Sequence, residues 1–480
     1  MNFVVFLPEQ MRAESIGCYG HPLIATPNMD RLAAEGTRFD QCYVQYPVCG
    51  PSRCSLFTGW YPHVNGHRTL WHSLRPHEPN TLKYLKQAGY DVRWWGKNDL
   101  FALDSFADSV TRAETPWAKG AWGPMKRTGP DDPLYDSFLA EPFDGGPWET
   151  CDAARVKSAI DFLRSGPDKP FVIYLPLLYA HPPYSAPEPW HSMYDPKDLP
   201  QRRPAGVPDK PAFHELIRQT RGLDRLNEQT LDKIAAVYLG MISYSDWLLG
   251  EFMKVLSETG HDDDTTVFFA SDHGDWAGDY GLVEKWHSAL DDTLTRVPMV
   301  IRTPGGKAGH VVDTPVELFD ISATALELAG IEAQHTHFAQ SLVPQLHGAV
   351  GDADRCAFAE GGYDTHERHC FEDPIKFGWT PEDLYYQKAL LQQTHPDSVA
   401  RSVMVRDATH KLIYRTTGQS ELYDMQQDPR ELCNIYDKPE AADVRQRLER
   451  RLLDFYLHTS DVTPFDEDPR DIPSEGIGQA

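Results

Sequence analysis

The chain has 480 residues, 41% of them hydrophobic and 24% charged, with a formal net charge of −25. That length asks for more than one hydrophobic core, in the composition of an ordinary globular protein. The acidic balance excludes nucleic acid as a partner and disfavours long polyanionic glycans, and no apolar run reaches membrane-spanning length.

Asn2–Leu7 follows Met1 directly and reads as a buried strand. With no signal peptide ahead of it, the expectation is a cytoplasmic enzyme whose mature form begins here. Runs rich in β-branched residues recur at 2–7, 91–95, 170–178, 265–270 and 297–302, each followed by polar or Gly/Pro punctuation and then a helical pattern. This alternation predicts an α/β fold with a large, mostly parallel sheet sandwiched by helices. The clearest helix spans about 228–257, where Leu231, Ile234, Tyr238, Met241, Leu249 and Phe252 repeat at helical spacing before a stop at Gly260. A second helix runs from a capping Asp320 to Gly330.

From about residue 350 the pattern changes to short strands, Val403–Arg406, Lys411–Arg415 and Glu421–Tyr423, and one helix near 438–458. The expected organisation is therefore an α/β domain over 1–350, a smaller α+β domain with an antiparallel sheet over 351–462, and an extended acidic tail over 463–480. Such a tail could cross to a second copy of the chain, so a homo-oligomer is an open expectation. The eight cysteines, at 18, 42, 49, 54, 151, 356, 370 and 433, form no paired framework and read as reduced thiols.

In open α/β sheets, ligands bind beyond the carboxyl ends of the parallel strands. After the first predicted strand come Glu9 and Gln10; after 91–95, Lys97 and Asp99; after 170–178, His181; after 265–270, Asp272 and His273. A sheet that gathers these ends puts oxygen and nitrogen ligands, a cation and an acid/base group around one point. Any one acidic residue after a strand is more often a turn former or cap. Four strand ends with matching chemistry make a site the better reading.

Cys49-Gly-Pro51-Ser-Arg53, continuing to Thr58-Gly59, resembles the signature of the type I sulfatases of the alkaline-phosphatase superfamily. So do Thr26-Pro-Asn-Met-Asp-Arg-Leu-Ala33, Arg296-Val-Pro-Met-Val-Ile-Arg302 and Glu421-Leu-Tyr-Asp424, so the likeness runs from the first strand to about residue 434. The resemblance implies that a formylglycine-generating enzyme oxidises Cys49 to formylglycine, whose hydrate attacks a sulfate ester and whose second hydroxyl then collapses to expel sulfate. It implies a divalent cation, calcium first and manganese second, held by Glu9, Gln10, residue 49, Asp272 and His273. Arg53 would steady the hydrate, Lys97 and Lys285 would clamp the sulfuryl oxygens, and His181, in Ala180-His-Pro-Pro183, would be the general acid. Pro51 and Ser52 are expected to open a helix whose N–H groups face the anion.

Two positions depart from the family pattern: Glu9 stands where an Asp is usual, and Asp99 where a His is usual. The expected activity is hydrolysis of a small aryl, alkyl or sugar sulfate, with no membrane partner. Gln10 and His273 keep a phosphonate monoester or phosphodiester hydrolase as the nearest alternative, and the two departures keep an inactive binding protein as another. His63, His67, His72 and His287 have no frame that singles them out, and Trp71, Trp94, Trp95, Tyr179 and Tyr184 read as core first and substrate platforms second.

Overall fold

The structure, a computed structural model, describes residues 1–115, 132 and 134–464. Its strands are β1 (Asn2–Leu7), β2 (Thr37–Tyr43), β3 (Asp91–Trp95), β4 (Arg112–Glu114), β5 (Phe171–Pro176), β6 (Thr265–Ala270), β7 (Arg296–Arg302), β8 (His310–Glu317), β9 (Ala357–Gly361), β10 (Ser402–Arg406), β11 (His410–Arg415) and β12 (Glu421–Asp424). The first eight form one sheet in the order β4-β3-β5-β1-β6-β7-β2-β8. Within it β7 runs antiparallel to both neighbours, and the other pairs are parallel.

The middle of this sheet is built from the apolar runs legible in the sequence. β1, β5 and β6 are buried along their whole length, as expected of parallel strands covered on both faces. Alternation divides β1 between two cores: Val4 and Phe6 face one, Phe3, Val5 and Leu7 the other. The first core receives the long helix Glu228–Glu258 through Ile234, Tyr238, Ile242 and Phe252. Asn227 caps that helix by accepting from Thr230 N, a contact worth about 1 kcal/mol. The second core holds the helices Cys49–Thr58 and Asp320–Ala329, through Leu56, Phe57, Ile321 and Ala325. Gly59 ends the first of these in the left-handed region at φ 66°, and a Cβ there would lie 2.8 Å from His337 Cβ.

Two details of the sequence reading shift. The helix expected to open at Pro51 begins at Cys49 itself, and Asp320 is the first helical residue instead of its cap. The Asp320 carboxylate instead accepts from Glu317 N at 2.9 Å and Gln340 N at 2.8 Å. Strands β2, β4 and β8 carry no apolar run. β2 reads TRFDQCY, with half-exposed positions that a strand near the sheet's edge tolerates.

Strands β9 to β12 form a second, antiparallel sheet in the order β12-β11-β10-β9. One face packs against the helix Ala442–Thr459 through Val403, Val405, Leu412 and Leu448. The other packs Met404 and Ile413 against Tyr43 and Leu290 of the first unit. The acidic residues read as an extended tail fall at 465–480, outside the described residues. Among the described residues no helix is long and apolar enough to cross a membrane.

Candidate active site

Because β3, β5, β1 and β6 are parallel neighbours, their carboxyl ends share one edge, and β2, parallel to them across the reversed β7, brings Cys49 to the same edge. The turn after β1 is fixed by backbone bonds from Glu9 N to Tyr179 O at 3.1 Å and from Ala180 N to Glu9 O at 2.7 Å. Gln10 then adopts φ 59°, a conformation that costs a non-glycine residue on the order of 1 kcal/mol. It turns its own N–H onto Asp272 Oδ1 at 3.2 Å.

Glu9, Cys49, Asp272 and His273 are all buried and offer ligand atoms that lie within 4.8 Å of one another. His273 Nδ1 donates to Gly274 O at 2.8 Å, which leaves Nε2 as the bare nitrogen, buried without a partner and 3.9 Å from Asp272 Oδ1. Burial first, and then the charge of Lys285, hold this ring well below the usual histidine range, so it is neutral. Glu9 Oε2 is likewise buried with no hydrogen-bond partner. A bare imidazole nitrogen and a bare carboxylate oxygen, with a second carboxylate beside them, are a donor set that fits a divalent cation. The longer Glu9 side chain therefore still reaches the cluster.

Cations surround this cluster. Arg53 places Nε and Nη2 both 3.0 Å from Asp272 Oδ2, and Nη2 3.6 Å from Glu9 Oε2. Lys97 Nζ lies 2.7 Å from Glu9 Oε1, 2.8 Å from Asp99 Oδ2 and 3.9 Å from Cys49 Sγ. Burial alone would raise the Asp99 carboxyl, but Lys97 and Arg53 outweigh it and hold the group ionised below the usual range. Asp99 thus binds the lysine of its own loop. Lys285 Nζ donates to Gln10 Oε1 at 2.6 Å and lies 3.0 Å from both His181 Nε2 and Glu284 Oε1. The Gln10 carboxamide also donates through Nε2 to Asp275.

His181 Nδ1 faces Pro182 O at 2.6 Å and so carries the proton, leaving Nε2 to accept from Lys285. Burial and the charges of Lys285 and Lys97 keep the ring neutral. Burial also pushes the Cys49 thiol far up, against the pull of Lys97, so the unmodified sulfur is a thiol. Ser52 Oγ donates to Asp272 O at 2.5 Å and ties the helix's first turn to the end of β6.

Above Cys49 opens a cavity of about 440 Å³. Lys97, His181 and Lys285 line its floor, and Glu372, Trp379, Tyr385 and Lys388 line a wall joined to that floor through Glu284. The wall residues come from a loop and helix with no strand signature or motif, so nothing in the sequence marked them. Glu284 was within reach, as the neighbour of Lys285: it binds Lys285 through Oε1 and Lys388 through Oε2, the latter at 2.8 Å. Of the histidines with no motif, His67 binds Glu78 and His72 O and His63 binds Glu360 and Thr459 O, whereas His287 binds Glu372 of the cavity wall and Tyr363. Trp94, Trp95, Tyr179 and Tyr184 are core, whereas Trp71 stays 36% exposed with Phe377 5.5 Å away.

Residues 1–331 match the family model described as Sulfatase, and residues 371–457 match one described as N-sulphoglucosamine sulphohydrolase, C-terminal. The multifunctional alkaline phosphatase superfamily protein PehA of Trinickia caryophylli is 27% identical over 95% of this chain and 94% of its own. An arylsulfatase of Clostridium perfringens is 26% identical over 94% of this chain and 93% of its own. Among solved structures, the phosphonate monoester hydrolase of Agrobacterium radiobacter superposes with a TM-score of 0.76 at 23% identity, covering 95% of this chain and 96% of that one.

Proposed function

This chain belongs to the sulfatase family and is a sulfuric ester hydrolase, and from that premise we propose that it cleaves a small aryl, alkyl or sugar sulfate in the cavity above Cys49. The observation that carries the reading is the buried cluster in which Cys49 Sγ, Glu9, Asp272 and the bare His273 Nε2 lie within 4.8 Å of one another.

Glu9, Asp272 and His273 would hold the cation, calcium first and manganese second; Gln10, expected among the ligands, instead commits its Oε1 to Lys285 and its Nε2 to Asp275. When bound, such a cation polarises the ester oxygens and lowers the cost of an ionised hydroxyl. Oxidation of Cys49 to formylglycine by its generating enzyme supplies the hydrate that acts as nucleophile. The helix begins at Cys49 itself, so the positive end of its dipole lies at the nucleophile. Arg53 fixes Asp272 from the side, through Nε and Nη2. Lys97 and Lys285 would stabilise the oxygens on which charge develops, each exchanging a present contact for the substrate: Lys97 holds Glu9 and Asp99, and Lys285 holds Gln10, His181 and Glu284. His181 protonates the leaving oxygen. In the unliganded site Nε2 is unprotonated and accepts from Lys285 at 3.0 Å, so this role requires the ring to take up a proton as the anionic ester binds and offsets the Lys285 and Lys97 charges that hold it neutral.

Intact-mass spectrometry of protein made alongside a formylglycine-generating enzyme, with turnover of 4-nitrophenyl sulfate on the same sample, tests this. The expected result is exchange of the Cys49 thiol for an aldehyde together with activity that Cys49→Ala abolishes. Full activity with the thiol retained would sink it. Gln10 and His273 favour one rival, hydrolysis of phosphonate monoesters or phosphodiesters by the same machinery. A higher kcat/KM for an aryl phosphonate monoester than for the aryl sulfate would reverse the order.

A further inference from the structure

The cavity above Cys49 is lined by residues from two distant parts of the chain. The floor carries Lys97 and Lys285 and, on the sulfatase reading on which this inference rests, takes the ester's anionic group. The wall carries Glu372, which is 2% exposed. Its Oε1 accepts from His287 Nε2 at 3.0 Å, while its Oε2 is buried with no hydrogen-bond partner. Although burial pushes the group up, Lys388 and His287 hold it below the usual carboxylate range, so it is charged. On the same wall the Tyr385 hydroxyl is also buried without a partner. Glu372 and Tyr385 line this cavity, and each buries beside it a polar atom whose hydrogen-bonding capacity is unused, in a setting where unmet capacity is costly.

A carboxylate oxygen can only accept. A ligand that satisfies Glu372 must therefore bring an O–H or N–H donor. The wall's charges also oppose a second anion. Glu372 and Glu284 both line the cavity, and the Lys388 ammonium beside them is bound to Glu284 at 2.8 Å. Trp379 and Leu384 supply the apolar surface on which a ring can lie.

We infer that the leaving group is a ring that bears hydroxyl or amino donors and no anion beyond the ester being cleaved, with Glu372 as the acceptor that selects it and Tyr385 beside it. Recognition is then divided. The first unit holds the sulfate, and the segment after residue 370 chooses what the sulfate is attached to.

The test is a ladder of four esters given to the metal-loaded, oxidised enzyme: 4-nitrophenyl sulfate with no donor, glucose 6-sulfate with hydroxyls, glucosamine 6-sulfate with an added ammonium, and D-glucosamine-2-N,6-O-disulfate with a second anion. Both donor-bearing monosulfates are expected to exceed the disulfate at least tenfold in kcat/KM. Glu372→Gln keeps an acceptor for His287 and removes the charge, and it should lower kcat/KM at least tenfold on the monosulfated sugars and less than twofold on 4-nitrophenyl sulfate. A larger loss on glucosamine 6-sulfate identifies the amine as the donor, a larger loss on glucose 6-sulfate a hydroxyl. Tyr385→Phe deletes an unpartnered hydroxyl and should act in the same direction with a folded protein. A disulfate turned over as well as the monosulfates, or a Glu372→Gln variant that depresses all four esters equally, overturns the inference. If no sulfate ester is cleaved but an aryl phosphonate monoester is, the sulfatase reading falls separately. The ladder is then read as thermal stabilisation by the same four esters, where the same ordering supports the inference and a flat or reversed one overturns it.

Discussion

Arg53 and Asp272 meet with neither side chain exposed: Nε and Nη2 of the guanidinium both lie 3.0 Å from Oδ2. The pair joins the helix that carries Cys49 to the end of β6, so it sets the distance between the nucleophile and the cation ligands. Removing the arginine leaves a buried carboxylate uncompensated, which costs about 3–5 kcal/mol. Arg53→Met is expected to unfold at markedly lower denaturant when a chelator is present, and to recover part of that loss when a divalent cation takes over the charge. Equal loss with and without the cation would show that Asp272 does not face it.

Glu9 tests whether the longer carboxylate is built into this cluster or merely tolerated. Its backbone is held on both sides, by Glu9 N to Tyr179 O and by Ala180 N to Glu9 O. A Glu9→Asp side chain is shorter by one carbon–carbon bond and has no means of advancing toward Lys97 and Arg53. The expected outcome is a loss of bound metal, by at least tenfold in affinity, measured by elemental analysis after dialysis against a graded chelator. Thermal stabilisation by added cation should shrink in parallel. Unchanged metal content would mean that Asp272 and His273 suffice.

His335 gives a pH dependence away from the cation ligands. Its Nε2 donates to Thr58 O at 2.7 Å and its Nδ1 accepts from Tyr84 Oη at 2.8 Å, so the neutral ring ties down the end of the helix that begins at Cys49. Burial, reinforced by His337 and opposed by the Thr58 carbonyl, lowers its pKa from 6.5 to about 4. Between those values the unfolded chain binds the proton and the folded one does not. The contribution is therefore complete above about pH 6.5 and lost as pH falls toward 4, reaching at most about 3 kcal/mol. Urea unfolding of the wild type and His335→Gln across pH 4–7 should show the wild type's advantage at pH 7 disappearing at pH 4. An advantage that grows on acidification would reverse the sign.

What the sequence disclosed follows from how local each feature is. Asn2–Leu7 and Thr265–Ala270 are apolar on both faces, so their pattern announces a central parallel strand, and the residues just beyond them, Glu9, Gln10, Asp272 and His273, come together because the strands do. Cys49 is marked by a motif of five contiguous residues. Thr37–Tyr43 delivers Cys49 to the site yet reads as a polar segment, because half of it faces outward. Glu372, Tyr385 and Lys388 reach the cavity only through packing between segments distant in sequence, which no local periodicity records.

Lys388 gives the sharpest test of that long-range construction. Glu284 divides its two oxygens between Lys285, at 3.0 Å, and Lys388, at 2.8 Å, and all three side chains are essentially buried. Lys388→Met strips one of two positive charges from a buried carboxylate, an arrangement expected to cost about 3 kcal/mol or more. The same change lets Glu284 hold Lys285 more tightly, away from the anion. Glu284→Gln with Lys388→Met removes both members of the pair and should recover part of the stability, by the non-additivity that contacting residues show, the rest being the charge that Lys388 also lends Glu372. Activity should part company with stability in this cycle. If Lys388 only braces the fold, the double variant regains kcat along with its unfolding midpoint. If Glu284 sets the reach of Lys285, the double variant stays impaired in kcat, because a neutral amide no longer positions the ammonium that contacts Gln10 and His181.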